Sequence, residues 1–261
     1  MAYYNIKFFS NSLCRHVNFE MIIPNDKRDD QPWKKPVPEG IPMKTLLLLH
    51  GYTGSAFSWI EEETAEKYHV AIIIPNGENS FYLDGKATGH AFCKFVGEEL
   101  PEYVAKTFGF DICPENTGVL GFSMGGFGAL HTGLAYPERF GKIGAMSSAL
   151  IQHEVAGMKE GVGNPVANYD YYKEVFGEPK DVLDSDNNPE TLIDKLISSG
   201  KKIPEIYQCC GTEDFLLENN RQFHAFLEDK KVEHIYKESA GNHDMVFWHE
   251  YTGKILEWMF G

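Results

Sequence analysis

The chain has 261 residues, enough for one large α/β domain or two small ones, and with 43% hydrophobic and 24% charged residues it can build a core without disulfide or metal staples. Its 38 acidic and 24 basic residues leave a formal net charge of −14. Such a field repels phosphate backbones and anionic lipid, which argues against nucleic-acid and membrane partners and leaves small neutral substrates or cationic partners open.

The opening stretch "MAYYNIKFFSNSLCRHVNFEM" lacks the charged segment and unbroken apolar run of a secretory signal. No run of about 18 apolar residues occurs anywhere, so no membrane span is expected. The five cysteines, Cys14, Cys93, Cys113, Cys209 and Cys210, are odd in number and follow no metal-ligand spacing. They read as buried thiols in a reducing compartment, and a cytoplasmic location is expected.

In chain order, the charged, proline-rich stretch from Asn25 to Pro42 reads as a surface connection between two early strands. Strand-length apolar runs follow at Thr45–His50, Val70–Asn76, Thr117–Phe122, Ile143–Leu150, Glu205–Gly211 and His234–Ser239. Continuous apolar runs suit parallel strands buried on both faces. Between them lie helical segments at Phe57–Tyr68, about His90–Phe108, Gly125–Tyr136, Asn219–Lys230 and Phe247–Phe260. The alternation predicts one α/β domain over residues 1–261, a mostly parallel doubly wound sheet with helices on both faces. Chemistry in such a sheet belongs in the loops at the carboxyl ends of the strands.

One of those ends carries "TGVLGFSMGGFGAL". Gly121-Phe122-Ser123-Met124-Gly125 matches G-x-S-x-G where a strand should stop and a helix start. The spacing suits a nucleophile on a cramped turn, with glycine on either side because a side chain there would meet backbone. A bare match arises by chance in about one chain of this length in ten. Its position between strand and helix makes Ser123 the candidate nucleophile. Gly126 and Gly128 would let the following helix pack closely, its positive end toward the serine.

A serine hydroxyl needs a base. His243, in "SAGNHDMVFW", follows the last strand run and precedes the last helix. His131 and His224 sit on helices, where packing or surface roles suit them. The orienting acid is then Asp214 of "QCCGTEDFLLENN", with Glu213 as its neighbouring competitor. The chain order of serine, acid and histidine fits. After the strand ending at His50, the turn His50-Gly51-Tyr52-Thr53-Gly54 can aim a backbone N–H at the site. The Tyr52 N–H, with Gly51 as its rival, and the Met124 N–H are the candidate oxyanion donors. His50 is expected to brace this loop by hydrogen bonding.

With these residues in place the sequence resembles the esterase D group of α/β-hydrolases, and within it the tributyrin-esterase-like carboxylesterases. The ordered segments "LLLLHGYTGSAFSW", "IIIPNGENSFYLD", "EELPEYV", "GVLGFSMGGFGAL", "YYKEVFG", "CCGTEDFLLENN" and "NHDMVFWHEYTGKILEW" carry the likeness from about residue 45 to the C-terminus. The resemblance implies hydrolysis of short acyl esters through a Ser123–His243–Asp214 triad, with no metal or other cofactor, and relatives of this kind often self-associate. S-formylglutathione hydrolases usually read G-H-S-M-G-G-H-G here. Phe122 and Phe127 replace both histidines, which counts against that thioester. Feruloyl and acetyl-xylan esterases are also similar, so plant cell-wall esters remain an alternative.

The segment from Ile151 to Pro204 is long enough to overhang the site. It is expected, with Gly51, Phe81, Tyr82 and Phe92, to shape the substrate pocket. Acyl transfer to an alcohol or sugar would use the same triad. A binding module without catalysis would be expected to have lost the serine or the histidine, and this chain retains both.

Overall fold

The computed structural model describes residues 2–24 and 40–261, so most of the connection expected at 25–42 lies outside the described residues. Eight strands form one sheet: β1 (Ala2–Ser10), β2 (Arg15–Ile23), β3 (Lys44–Leu49), β4 (Val70–Pro75), β5 (Thr117–Phe122), β6 (Lys142–Met146), β7 (Glu205–Gly211) and β8 (His234–Ser239). Their order is β1-β2-β4-β3-β5-β6-β7-β8. Only β2 runs against its neighbours; every pair from β4 to β8 is parallel.

The helices are α1 (Glu62–Tyr68), α2 (Phe92–Lys94), α3 (Leu100–Phe108), α4 (Met124–Ala135), α5 (Gln152–Ala156), α6 (Tyr169–Phe176), α7 (Pro189–Ser199), α8 (Leu217–Asp229) and α9 (Met245–Phe260). A π-helical turn, Phe95–Glu99, joins α2 to α3, and a 3-10 turn, Pro179–Asp184, precedes α7. Among the described residues, no helix is long and apolar enough to cross a membrane.

Successive side chains of a strand point to opposite faces. Leu47 and Leu49 of β3 join Val104, Phe127, Ile193 and Phe223 in one core. Leu46 and Leu48 join Tyr68, Trp248 and Ile255 in the other. Both faces of the central strands are thus covered, by α3, α4, α7 and α8 on one side and by α1 and α9 on the other. That is why β4 and β5 read as unbroken apolar runs. Strand β8 is different: it pairs only with β7, its residues are half-buried or exposed, and its sequence is correspondingly polar.

Three expectations are corrected. The run Ile143–Leu150 is a strand only as far as Met146, because Ser147 takes φ 44° and turns the chain out of the sheet. The helix expected from Phe57 begins at Glu62, after a loop. Of the five cysteines, Cys93, Cys209 and Cys210 are buried, but Cys14 is exposed and Cys113 half-buried; all five are free thiols.

The turn between β1 and β2 is held from the π-helical turn. Glu99 accepts hydrogen bonds from the Ser10 hydroxyl at 2.6 Å and from the Asn11 and Ser12 N–H groups at 2.6 and 3.1 Å.

Candidate active site

Ser123 lies between the last residue of β5 and the first of α4, with φ 56° and ψ −121°. A non-glycine residue holds such a conformation at a cost of roughly 1–3 kcal/mol, so its surroundings must fix it. They do so through backbone. The Ser123 N–H donates to Met146 O at 2.9 Å, and its carbonyl accepts from Phe127 N–H at 3.1 Å and Ala149 N–H at 2.9 Å.

The flanking glycines are required by contact. A Cβ at Gly121 would lie 2.1 Å from Gly125 O, and one at Gly125 would lie 2.1 Å from Leu49 O. Gly126 and Gly128 allow the close packing expected of them: a Cβ at these positions would stand 2.8 Å from Met146 O and 2.3 Å from the Tyr82 ring.

Three loops at the carboxyl ends of β5, β7 and β8 bring Ser123, Asp214 and His243 together. The Ser123 Oγ is 2.9 Å from His243 Nε2, and His243 Nδ1 is 2.9 and 3.0 Å from the two Asp214 carboxylate oxygens. Beside an ionised Asp214, the imidazole carries its proton on Nδ1 and leaves Nε2 to accept from the serine hydroxyl. Burial pushes the Asp214 pKa up, but hydrogen bonds from His243, the Leu216 N–H and the Ser147 hydroxyl outweigh it. The carboxyl therefore sits below its ordinary value. Glu213 turns the other way and accepts from the Thr212 hydroxyl and the Gly241 N–H.

The imidazole is also held by rings. Trp248 meets it edge-on at 4.9 Å, is itself stacked on Phe122 at 4.1 Å, and donates its indole N–H to Ser147 Oγ. Phe215 packs on it from outside, with ring centres 4.6 Å apart. Asp244 caps α9 by accepting from the Val246 and Phe247 N–H groups, which fixes the chain one residue past His243.

The loop from His50 to Gly54 also reaches Ser123. A Cβ at Gly51 would come within 2.7 Å of the Phe122 ring and 3.4 Å of Ser123 Cβ, so this loop rests directly on the elbow. His50 braces it as expected. Its Nε2 accepts the Gly77 N–H at 2.9 Å, which assigns the proton to Nδ1, donated to Gly51 O at 2.8 Å. Burial lowers the His50 pKa and favours that neutral form. The Tyr82 hydroxyl donates to His50 O, and the Thr53 N–H donates to Asn79 Oδ1. The Met124 N–H is the first of α4 and has no acceptor within the helix. Among the described residues, neither it nor the Tyr52 N–H makes a loop or turn backbone hydrogen bond. Two such free donors beside a serine can stabilise a developing oxyanion.

The other expected aromatic pocket residues are all buried, Phe81 at 5% exposure included. Phe81 lies behind Tyr52, its ring 6.4 Å from that of Tyr52 and 4.9 Å from Phe176. Tyr82, 0% exposed, and Phe92, 3% exposed, are core, and the structure does not bring them to a surface that a substrate can reach. Tyr82 supports the site from behind, through its bond to His50 and its packing against Gly128, and Phe92 packs under Arg15.

Sequence reasoning missed Asn79, Trp248 and Phe215, and placed Tyr171 only within the 151–204 segment expected to overhang the site. Tyr171 of α6 sets its ring 6.0 Å from Tyr52 and donates its hydroxyl to Asn79 O at 2.5 Å. Only Phe215, adjacent to Asp214 in the chain, offered a local signal.

The chain is similar to known esterases over its whole length. The model of the family described as "Putative esterase" matches residues 10–257. An acetyl esterase of Caldicellulosiruptor saccharolyticus is 40% identical over 99% of this chain and 98% of its own length. Among solved structures, the fluorophosphonate-binding serine hydrolase F of Staphylococcus aureus superposes with a TM-score of 0.84 at 25% identity, covering 100% of this chain and 98% of its own. The S-formylglutathione hydrolase of the same organism does so with a TM-score of 0.81 at 24% identity, covering 100% and 99%. The chain belongs to the esterase family: it is a serine carboxylesterase of the α/β-hydrolase fold.

Proposed function

We propose that this esterase hydrolyses short acyl esters, acetyl esters foremost, with Ser123 as nucleophile, His243 as base and then acid, and Asp214 as the group that orients His243. The observation that carries the proposal is the unbroken relay from Ser123 Oγ through the His243 ring to Asp214, both links at 2.9 Å. As Ser123 Oγ bonds to the ester carbonyl carbon, its proton passes to His243 Nε2. The carbonyl oxygen becomes an oxyanion facing the Tyr52 and Met124 N–H groups, each donor worth about 3 kcal/mol. Collapse breaks the bond to the alcohol, whose oxygen takes the proton from Nε2 and leaves an acyl-serine. Water then repeats the sequence with the same base and releases the acid.

Two features favour a small acyl group. The acetyl esterase relative spans nearly the whole chain. The rings of Phe81 and Tyr171 lie beside Tyr52, and Phe176 backs Phe81. Residues 151–204, which carry α5, α6 and α7, are then a wall of the pocket, contributed through α6. Phe122 and Phe127, where S-formylglutathione hydrolases have histidine, are both buried in aromatic clusters, which supports an oxygen ester over that thioester.

The test is Ser123→Ala. It should abolish fluorophosphonate labelling and at least about 10³-fold of p-nitrophenyl acetate turnover; full turnover in the variant would remove Ser123 from the reaction. Methyl ferulate and p-nitrophenyl butyrate, set against the acetate, measure the acyl preference, and the acetate should be the fastest.

A further inference from the structure

We infer that Phe215 is the platform for the leaving alcohol, and that the enzyme selects esters whose alcohol carries a six-membered ring. The inference rests on the proposed roles of Ser123 and His243. In that mechanism the alcohol oxygen must receive its proton from His243 Nε2, so the alcohol has to lie beside the imidazole. Of the two rings that border the imidazole, Trp248 is buried and Phe215 is the one open to solvent. It is 76% exposed, yet its centre is only 4.6 Å from that of His243. The His243 side chain keeps 18% of its surface open, whereas Asp214 behind it is closed at 0%.

A single exposed phenylalanine is ordinary on a protein surface. This one stands on a turn stiffened on both sides. The Asp214 N–H donates to Gly211 O at 3.2 Å, the Leu216 N–H to Asp214 Oδ1 at 2.8 Å and the Leu217 N–H to Asp214 O at 3.1 Å. The same carboxylate therefore orients the histidine and fixes the backbone that presents the ring. A flat apolar face held in place beside the proton donor suits stacking by an aryl ring or by the C–H face of a pyranose; an ethyl or methyl group covers too little of it. Substrates with a large alcohol remain free to extend into solvent, because this side, unlike the wall at Tyr171, is open.

The experiment compares Phe215→Ala and Phe215→Leu with the unaltered enzyme on four acetates: ethyl acetate, cyclohexyl acetate, phenyl acetate and a methyl pyranoside carrying one acetyl group. All four form the same acetyl-serine, so deacylation is common to them and differences in kcat/KM report the alcohol. Whatever Phe215→Ala costs on ethyl acetate, it should lower kcat/KM about three- to tenfold further on the ring-bearing acetates. Phe215→Leu, which keeps apolar area without a flat face, should remain impaired, and Phe215→Trp should restore the loss. A loss confined to phenyl acetate or to the pyranoside would assign the ring class. An equal loss on all four would mean that Phe215 only supports His243, and no loss would mean that it is idle; either overturns the inference. Fluorophosphonate labelling in the same preparations separates the two readings: unlabelled wild-type enzyme would refute the nucleophile, and equal labelling of all variants without discrimination would refute Phe215 alone.

Discussion

Asn79 accepts the Thr53 N–H on its side-chain oxygen at 2.8 Å, and so ties the loop after β4 to the loop that carries Tyr52. Thr53 has φ 62°, a left-handed conformation that a threonine keeps only when held. The main chain of Asn79 is in turn held by the Tyr171 hydroxyl. The loop that carries Tyr52, the proposed oxyanion donor, is thus held by residues that lie far from it in sequence.

Asn79→Ala should therefore lower kcat on p-nitrophenyl acetate about tenfold, with KM changing less, because the donor acts on charge that appears only in the transition state. Steady-state kinetics check it. A change in KM alone would show that Asn79 acts on substrate binding and leaves the oxyanion untouched.

Asp214→Asn keeps the shape of the acid and removes its charge, so the imidazole loses the preference for a proton on Nδ1. A fall of about 10⁴-fold in kcat is expected, with fluorophosphonate labelling slowed in parallel. The same variant reports on stability. The depressed pKa means that ionised Asp214 stabilises the folded chain above the ordinary carboxylate range, and that this contribution fades as pH falls through it. Thermal midpoints of the two proteins should differ most near pH 7 and converge below about pH 4.

Gly125→Ala places a methyl group 2.1 Å from Leu49 O, and the obstacle is backbone of a central strand. The loss should exceed about 4 kcal/mol, seen as misfolded protein or a collapsed denaturation midpoint. Gly253 is the control. It lies exposed within α9, and a methyl group there would meet nothing within 4 Å. Gly253→Ala should therefore stabilise by roughly 0.5–1 kcal/mol in chemical denaturation.

Glu99 binds the turn between β1 and β2 through three donors, and these bonds hold its pKa below the ordinary value despite burial. Glu99→Gln should cost about 1–3 kcal/mol at pH 7 and less as pH falls through the carboxylate range, where wild-type Glu99 itself becomes protonated. Turnover of p-nitrophenyl acetate should be unchanged, since the turn lies away from Ser123. Denaturation curves at two pH values test the first part and an esterase assay the second.

What could be read from the chain alone was whatever its backbone demands locally. Glycines at 121 and 125 announce a turn where any Cβ meets a carbonyl, and the unbroken apolar runs of β4 and β5 announce strands covered on both faces. The order of Ser123, Asp214 and His243, each just past a strand, followed from the same alternation. Tertiary structure decided which side chains meet across those loops. Tyr82 and Phe92 look as available as Phe215 in the sequence, yet the first two are buried and the third lies open against His243. Aromatic residues carry no local mark of where they will pack. Their surroundings come from helices and loops separated by tens to hundreds of residues, and only the assembled sheet brings these together.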